Sequence, residues 1–222
     1  MSMTTKMPTK FAPAERIGLD EVRVQGQYFD NNSMMNPMLD AVPNMVVVLN
    51  KYRQIVYANQ RFQATFAEND LDKVLGKRPG EAVACVHSNE ESGGCGTAEA
   101  CSTCGAAKAI LSAQKGTQSV EECRIAQAEE EDVAALDLRV WATPIEVEGD
   151  LYTIFAIDDI SDEKRRLVLE RIFFHDIINT AGAIQGLVQL LDTMTDPMEF
   201  QDFEFGKMLS QASEQLLDEI VA

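Results

Sequence analysis

The chain has few basic residues, and this shortage argues against two classes of partner. Its 222 residues include 19 lysines and arginines against 36 aspartates and glutamates, which gives a formal net charge of −17. Nucleic acids and anionic membrane surfaces attract basic protein faces. We therefore expect neither a nucleic acid nor a membrane as a partner.

Long apolar runs are also missing. No stretch approaches the roughly 18–20 apolar residues that span a bilayer, and no apolar segment typical of a secretory signal follows the polar residues 1–10. The sequence thus predicts a cytoplasmic protein. In that compartment its five cysteines are expected to bind metal or to undergo redox chemistry, and not to form a disulfide framework.

Histidine is scarce, with only His87 and His175 in the chain. His175 lies in a helical pattern, with Asp176 next to it and Asn179 one turn later. A carboxylate that accepts the N–H of one ring nitrogen leaves the other nitrogen as a nucleophile. Residues four apart share a helix face, so the Asn179 amide could position a water beside the ring. This order predicts a histidine that is phosphorylated.

Four cysteines fall within twenty residues, at Cys85, Cys95, Cys101 and Cys104. A C-x2-C pair brings two thiolates onto one ion with little strain, and four sulfurs can close a tetrahedral site. His87 is a fifth candidate ligand. The remaining cysteine, Cys123, lies on a predicted strand and is interpreted as a core residue.

Three chemistries fit this cysteine segment. Zinc could be bound by four sulfurs, or by three sulfurs and His87. An iron–sulfur cluster also takes four cysteine ligands. A thiol–disulfide switch would use Cys101 and Cys104.

Hydrophobic periodicity predicts an α+β protein. Short β-branched runs predict strands, Asn59 is the expected cap of a helix, and apolar residues spaced three and four apart predict a long helix that starts at Ser161 and ends near Asp192. A second amphipathic helix is predicted from about residue 198, which would make a helical hairpin. The predicted strands cover residues 45–49, 54–58, 117–126, 134–147 and 151–157.

The β-rich part resembles a PAS sensor domain. The resemblance lies in residues 45–49, 55–59 and 76–81, and in the closing strand and exit at residues 155–165. It implies an antiparallel sheet with flanking helices over residues 34–160, with the cysteine-rich segment 85–104 inserted. Residues 1–33 show no clear hydrophobic period and are interpreted as a mobile or loosely docked arm. By analogy with PAS kinases that carry a cluster, it slightly favours an iron–sulfur cluster over zinc.

Residues 161–222 resemble the dimerisation and phosphotransfer hairpin of sensor histidine kinases, through His175 to Asn179, Gly182 and the apolar stripe from Ile184 to Leu191. The resemblance implies a four-helix bundle in a homodimer. It also implies that His175 accepts the γ-phosphoryl of ATP, that Asp176 acts as base and that Asn179 supports hydrolysis. No ATP-lid motif or N-box-like stretch occurs here, so we expect ATP and magnesium to act through a separate ATP-binding kinase domain.

Together these features predict the sensory and phosphoacceptor portion of a two-component histidine kinase. It would detect a redox, oxygen or metal signal and pass phosphoryl from His175 to the receiver domain of a response regulator. The alternative is a non-catalytic PAS dimerisation module that binds a metal or another ligand.

Overall fold

The computed structural model describes residues 9–30, 35–128 and 133–193, together with 208, 211–213 and 215–216. The chain divides into two compact units, Met1–Ser161 and Asp162–Ala222. The elements in chain order are α1 (Leu19–Asp30), α2 (Met35–Ala41), β1 (Met45–Leu49), β2 (Ile55–Ala58), α3 (Gln60–Phe66), α4 (Pro79–Ala82), α5 (Gly105–Ala113), β3 (Ser119–Ala128), β4 (Val133–Val147), β5 (Asp150–Asp159) and α6 (Ser161–Thr193).

The first unit is built on one antiparallel sheet with the strand order β2-β1-β5-β4-β3. Every residue of β1 and β2 is buried, as expected for strands whose β-branched runs show no polar alternation. The predicted sheet with flanking helices is therefore confirmed. Three short 3-10 helices, Leu71–Lys73, Val86–Asn89 and Glu99–Ser102, interrupt the connection between α3 and α5.

Asn59 ties the start of α3 to the sheet, as its predicted capping role requires. Its Oδ1 accepts hydrogen bonds from the N–H of Phe62 (3.0 Å) and of Val46 (2.9 Å). Its Nδ2 donates to the carbonyls of Leu39 and Asn44, each at 3.0 Å. One fully buried amide thus satisfies four backbone groups at the edge of the core.

The two faces of the sheet bury separate apolar clusters. One cluster joins β1, β4 and β5 to Phe62 of α3 and Ile110 of α5. The other places Val22 and Phe29 of α1 against Val48, Val56 and Tyr152. Residues 9–30 are therefore packed on the first unit, and the loosely docked arm expected from the sequence is not found there.

The described part of the second unit consists of α6 and a few further helical residues. The long helix agrees with the predicted one, and it begins with Asp162 and Glu163 in its first turn, where carboxylates favour the helix dipole. The predicted second helix falls mostly outside the described residues. Within the described ranges, no helix is both long and apolar enough to cross a membrane.

A fully buried arginine, Arg78, connects three separate segments of the first unit. Among the described residues, its guanidinium donates to backbone carbonyls alone. Nε donates to Tyr52 (3.1 Å), Nη1 to Gly93 (2.8 Å) and Cys95 (3.1 Å), and Nη2 to Glu15 (2.9 Å) and Pro13 (3.4 Å). Burial lowers the pKa of Arg78 to about 9, so it stays a cation at neutral pH. The residues around Pro13, Tyr52 and Gly93 are thus fixed to one another.

Replacement of Arg78 by methionine is expected to destabilise the first unit by at least about 3 kcal/mol. Several buried carbonyls would lose their donors, at about 1–3 kcal/mol for each group left unpaired. Urea unfolding followed by the fluorescence of Trp141, the only tryptophan, measures the loss. Arg61→Met is the matched control, because Arg61 is exposed on α3. Equal midpoints for the two variants would contradict the role given to Arg78.

Candidate functional site

All five cysteines of the chain line one cavity in the first unit, with a volume of about 280 Å³. Its floor is apolar and belongs to β4 and β5, through Leu138, Val140, Phe155 and Ile157. The opposite wall comes from the segment between α4 and α5. The cysteine-rich segment is thus folded over the sheet, and its thiols face a common space.

Gly80 makes room for two of these thiols. A Cβ at this position would lie 2.6 Å from Sγ of Cys95 and 3.5 Å from Cβ of Cys85. Real Cβ atoms do not approach a sulfur that closely, so any side chain at residue 80 would displace Cys95. Cys85 and Cys95, ten residues apart in sequence, therefore both pack against Gly80 of α4.

Gly105 has the same function on the other side of the cavity. A Cβ there would lie 2.2 Å from the carbonyl oxygen of Glu122, so only glycine lets the first turn of α5 lie directly on β3. This contact places Cys104, which precedes α5, within hydrogen-bond reach of Cys123. Cys123, interpreted from the sequence as a core residue, is buried but also faces the cavity.

Backbone N–H groups donate to the sulfurs of all four cysteines predicted as ligands. The donors belong to His87 and Ser88 for Cys85, Gly80 for Cys95, Gly96 and Ala98 for Cys101, and Ala106 and Ala107 for Cys104. Such donors stabilise thiolates, whether free or bound to metal. The loop geometry therefore suits sulfur anions at four points around the cavity.

The thiols nevertheless differ in acidity. Burial raises the pKa of Cys95 to about 12 and also raises the pKa of Cys85 and Cys101. The S–H of Cys123 donates to Cys104 and, against the effect of burial and with the N–H groups of α5, lowers the pKa of Cys104 to about 6. Without metal, Cys104 is thus the thiol that ionises first.

The cysteines surround the cavity and do not converge on one point. Among the described residues, no group of three or more His, Cys, Asp or Glu side chains is arranged to hold a single metal ion. His87 lies at the rim, with Nδ1 2.5 Å from Oε1 of Glu90 and much of its side chain exposed. The metal site thus stays a prediction, and the cysteines remain its candidate ligands.

In the second unit, α6 brings together His175, Asp176 and Asn179. Nδ1 of His175 lies 3.1 Å from Oδ1 of Asp176, and Nδ2 of Asn179 lies 3.1 Å from Nδ1 and 3.3 Å from Nε2. The His175 side chain is 71% exposed. A proton on Nδ1, shared with the carboxylate, would leave the lone pair on Nε2.

Alkylation of the reduced, metal-free protein is expected to find Cys104 first. Because the thiolate is the nucleophile, its reaction rate with iodoacetamide should rise with pH through a midpoint near 6. Cys123→Ala removes the donor and should shift the midpoint up towards the ordinary value of 9.0. Mass spectrometry of the labelled peptides across pH 5–9 measures both.

Cys95→Ala is the control for that experiment, since it removes a cavity thiol without touching the bond between Cys104 and Cys123. It should leave the Cys104 midpoint in place. If the profile of Cys104 is unchanged in Cys123→Ala, the hydrogen bond between the two sulfurs does not set its acidity.

Comparison with known proteins bears on the first unit. Residues 34–100 match the PAS domain family. No curated protein matched the chain. Similar solved structures include the PAS domain of an HTR-like protein from Haloarcula marismortui (18% identity, 59% of this chain and 98% of that one, TM-score 0.39) and that of nitrogen regulation protein NR(II) from Vibrio parahaemolyticus (15%, 58% and 100%, 0.40).

A PAS domain from a two-component sensor histidine kinase is also similar (10% identity, 60% of this chain and 99% of that one, TM-score 0.39). The strand order, the helices packed on the sheet and the family match together identify the fold of the first unit. Residues 34–100 match the PAS family model, and the sheet of the first unit has the PAS-type architecture.

Proposed function

We propose that this chain is the sensory and phosphoacceptor portion of a two-component histidine kinase. The cysteine-lined cavity receives a redox, oxygen or metal signal, and α6 carries it to His175. His175 accepts phosphoryl from ATP bound with magnesium in a separate kinase domain and passes it to a receiver domain of a response regulator. The observation that carries the proposal is the arrangement of Asp176 and Asn179 around an exposed histidine.

The chemistry at His175 follows from this arrangement. Nε2 attacks the γ-phosphorus, a P–N bond forms, and the P–O bond to ADP breaks with its electron pair leaving on ADP. The imidazole gains positive charge in this step, and the Nδ1 proton moves towards Asp176. Transfer of this kind is mainly a matter of positioning and charge stabilisation, and the phosphate-binding groups belong to the kinase domain.

Asn179 supports the reverse reaction. Its amide lies within 3.3 Å of both ring nitrogens, and an amide beside the ring can orient a water towards a phosphorylated aspartate that the receiver domain presents there. The same histidine face would then serve transfer and hydrolysis, according to the state of the helix.

The connection between β5 and α6 supports a role in signalling. Phe155 and Ile157 of β5 form part of the cavity floor, and only Ile160 separates this strand from the helix. The N–H of Asp137 on β4 donates to Oγ of Ser161 (3.0 Å), and its carbonyl accepts the N–H of Ile160 (2.8 Å). A change at the cavity therefore acts on the strand that continues into the phosphoacceptor helix.

The cavity suits an iron–sulfur cluster or zinc bound by Cys85, Cys95, Cys101 and Cys104. Backbone N–H donors at each sulfur favour thiolate ligands. When bound, a cluster would supply sensitivity to oxygen and redox state, whereas zinc would supply structure. The protein's own contribution is to hold the four thiols around an apolar floor.

Phosphorylation of His175 is tested by mixing the chain with ATP, magnesium and the isolated ATP-binding domain of a sensor histidine kinase. Acid-labile label is expected on the chain and should vanish in His175→Gln. Asp176→Asn should slow labelling by about 10²-fold or more, the range typical of a lost general base. His87→Gln removes the other histidine and should label normally.

Label that persists in His175→Gln would contradict the phosphoacceptor assignment. A chain that takes up metal but is never labelled by any kinase domain would instead support the non-catalytic dimerisation module.

We also propose that α6 pairs with α6 of a second chain. Four exposed apolar side chains, Leu167, Phe174, Ile178 and Val188, recur at helical spacings and lie on one stripe. A helix with an uncovered apolar stripe is stabilised by pairing with a second copy, as in four-helix bundles.

Ile178→Glu is expected to weaken the dimer at least about tenfold, because it puts a charge into the apolar stripe. Sedimentation equilibrium of the chain measures the dissociation constant. Leu169→Glu is the matched control: Leu169 is 66% exposed and Ile178 is 68% exposed, but nine residues place them on opposite sides of the helix. A dimer weakened equally by both changes would show that the stripe is not the interface.

A further inference from the structure

Two of the cysteines that line the cavity also contact each other, across the boundary between a helix and the sheet. Cys104 lies directly before α5 and packs against Cys123 of β3, which belongs to the apolar core. The S–H of Cys123 donates to the sulfur of Cys104. Beside this pair, the backbone at Gly105 lies directly on the carbonyl of Glu122. The two sulfurs are therefore held together by the packing of α5 on β3.

The C-x2-C spacing in the sequence predicts a different thiol pair, Cys101 with Cys104. In the structure, the N–H of Cys104 donates to the carbonyl of Cys101 (3.2 Å), which closes a backbone turn. The sulfur of Cys101 accepts from the N–H groups of Gly96 and Ala98. The S–H that donates to Cys104 belongs to Cys123. These contacts favour a pair that joins two elements over the pair that is adjacent in sequence.

Cys123 shares a row of the sheet with the junction between β5 and α6. It pairs with Leu138 of β4, and Leu138 pairs with Asp159, the last residue of β5. Neighbouring strands lie about 4.8 Å apart, so this row covers about 10 Å from Cys123 to the end of β5. Only Ile160 separates Asp159 from α6. The thiol pair thus lies on the row that ends at the helix carrying His175.

Cys104 is the member of the pair that an oxidant in the cavity reaches first. Its side chain is half-buried and lines the cavity, whereas Cys123 is only 6% exposed. The N–H groups of Ala106 and Ala107, in the first turn of α5, donate to the Cys104 sulfur. Such donors stabilise a thiolate, which is the reactive form of cysteine. Cys123 lies next to it, where a resolving thiol is required.

From this arrangement we infer that Cys104 and Cys123 form a disulfide when hydrogen peroxide enters the cavity, and that this bond fixes the start of α5 to the strand row that ends at α6. The inference rests on the proposed sensory role of the cavity and names the covalent event. Because Cys104 is also a candidate metal ligand, the bond forms in the metal-free protein.

The reaction proceeds in two steps. The Cys104 thiolate attacks one oxygen of the peroxide, an S–O bond forms, and the O–O bond breaks with its electron pair leaving on hydroxide. The sulfur of Cys123 then attacks the sulfenic acid. An S–S bond forms and the S–O bond breaks, and the departing hydroxide leaves as water with the Cys123 proton. The peroxide gains two electrons, and the two thiols lose them.

The experiment uses the full chain, reduced, stripped of metal with a chelator and then exposed to hydrogen peroxide. Free thiols are blocked and the protein is digested with trypsin, which cuts after lysine and arginine but not before proline. Four cysteines then fall in peptide 78–108, and Cys123 falls in peptide 116–124. A disulfide between Cys104 and Cys123 joins the two peptides, whereas one between Cys101 and Cys104 stays within the first. Mass spectrometry is expected to find the joined peptides as the main oxidised product.

Single replacements identify the two sulfurs. The joined peptides should be lost in Cys104→Ala and in Cys123→Ala. They should form in full yield in Cys101→Ala, the matched control that removes the other half of the C-x2-C pair. Trp141 fluorescence checks that each variant is folded, and the wild-type peptide map decides the pairing of Cys123 even where a variant does not fold.

Hydrogen exchange at the junction measures the effect of the bond on the sheet. The N–H of Ile160 donates to the carbonyl of Asp137 (2.8 Å), next to Leu138 in the same row. Its exchange is expected to slow by about tenfold or more in the oxidised wild type, because a disulfide across this loop disfavours opening of the sheet. Peroxide-treated Cys123→Ala should exchange like the reduced protein.

Two outcomes would overturn the inference. Peroxide-treated wild type in which peptide 116–124 stays unlinked would exclude the disulfide. Equal exchange of the Ile160 N–H in the reduced and disulfide-linked protein would exclude its connection to the start of α6. Labelling of His175 is measured separately on the reduced protein, so a failure of the disulfide leaves the phosphoacceptor proposal standing, and the reverse also holds.

Discussion

The cavity depends on one buried cation bonded to backbone carbonyls. Arg78 joins the segment around Pro13, the turn at Tyr52 and the loop from Gly93 to Cys95. Arg78 itself and Cys95 line the cysteine-lined cavity. Carbonyl acceptors have no charge, so they do not neutralise the guanidinium. The wall of the cavity therefore contains a buried guanidinium on the same surface as the five cysteines.

Much of the framework could be predicted from the sequence because its signals are local. Runs of β-branched residues identified β1 and β2, and Asn59 was recognised as the helix cap that the structure shows. The signal for the proposed phosphoacceptor group was also local. His175, Asp176 and Asn179 follow the one-residue and four-residue spacings of a helix, and those spacings alone bring their side chains within 3.3 Å.

The parts that escaped prediction depend on contacts between distant residues. Cys123 joins the cavity only because Gly105 lies against β3, a contact that strand periodicity cannot show. Arginines are normally expected at the surface, and the burial of Arg53 and Arg78 depends on carbonyls up to 65 residues away. The docking of α1 did have a signal: Val22, Gly26 and Phe29 lie on one helix face, and that spacing could have predicted a packed helix.

The stretch of chain from the cavity floor to His175 has an unusual composition. Between Gly149 and Gly182 the chain contains neither glycine nor proline, the residues at which helices most often kink. Strand β5 and the first half of α6 thus lack the residue types at which the backbone most easily bends. If the proposed signal acts on Phe155 or Ile157, the chain offers it no glycine or proline at which a local bend would most easily form before His175.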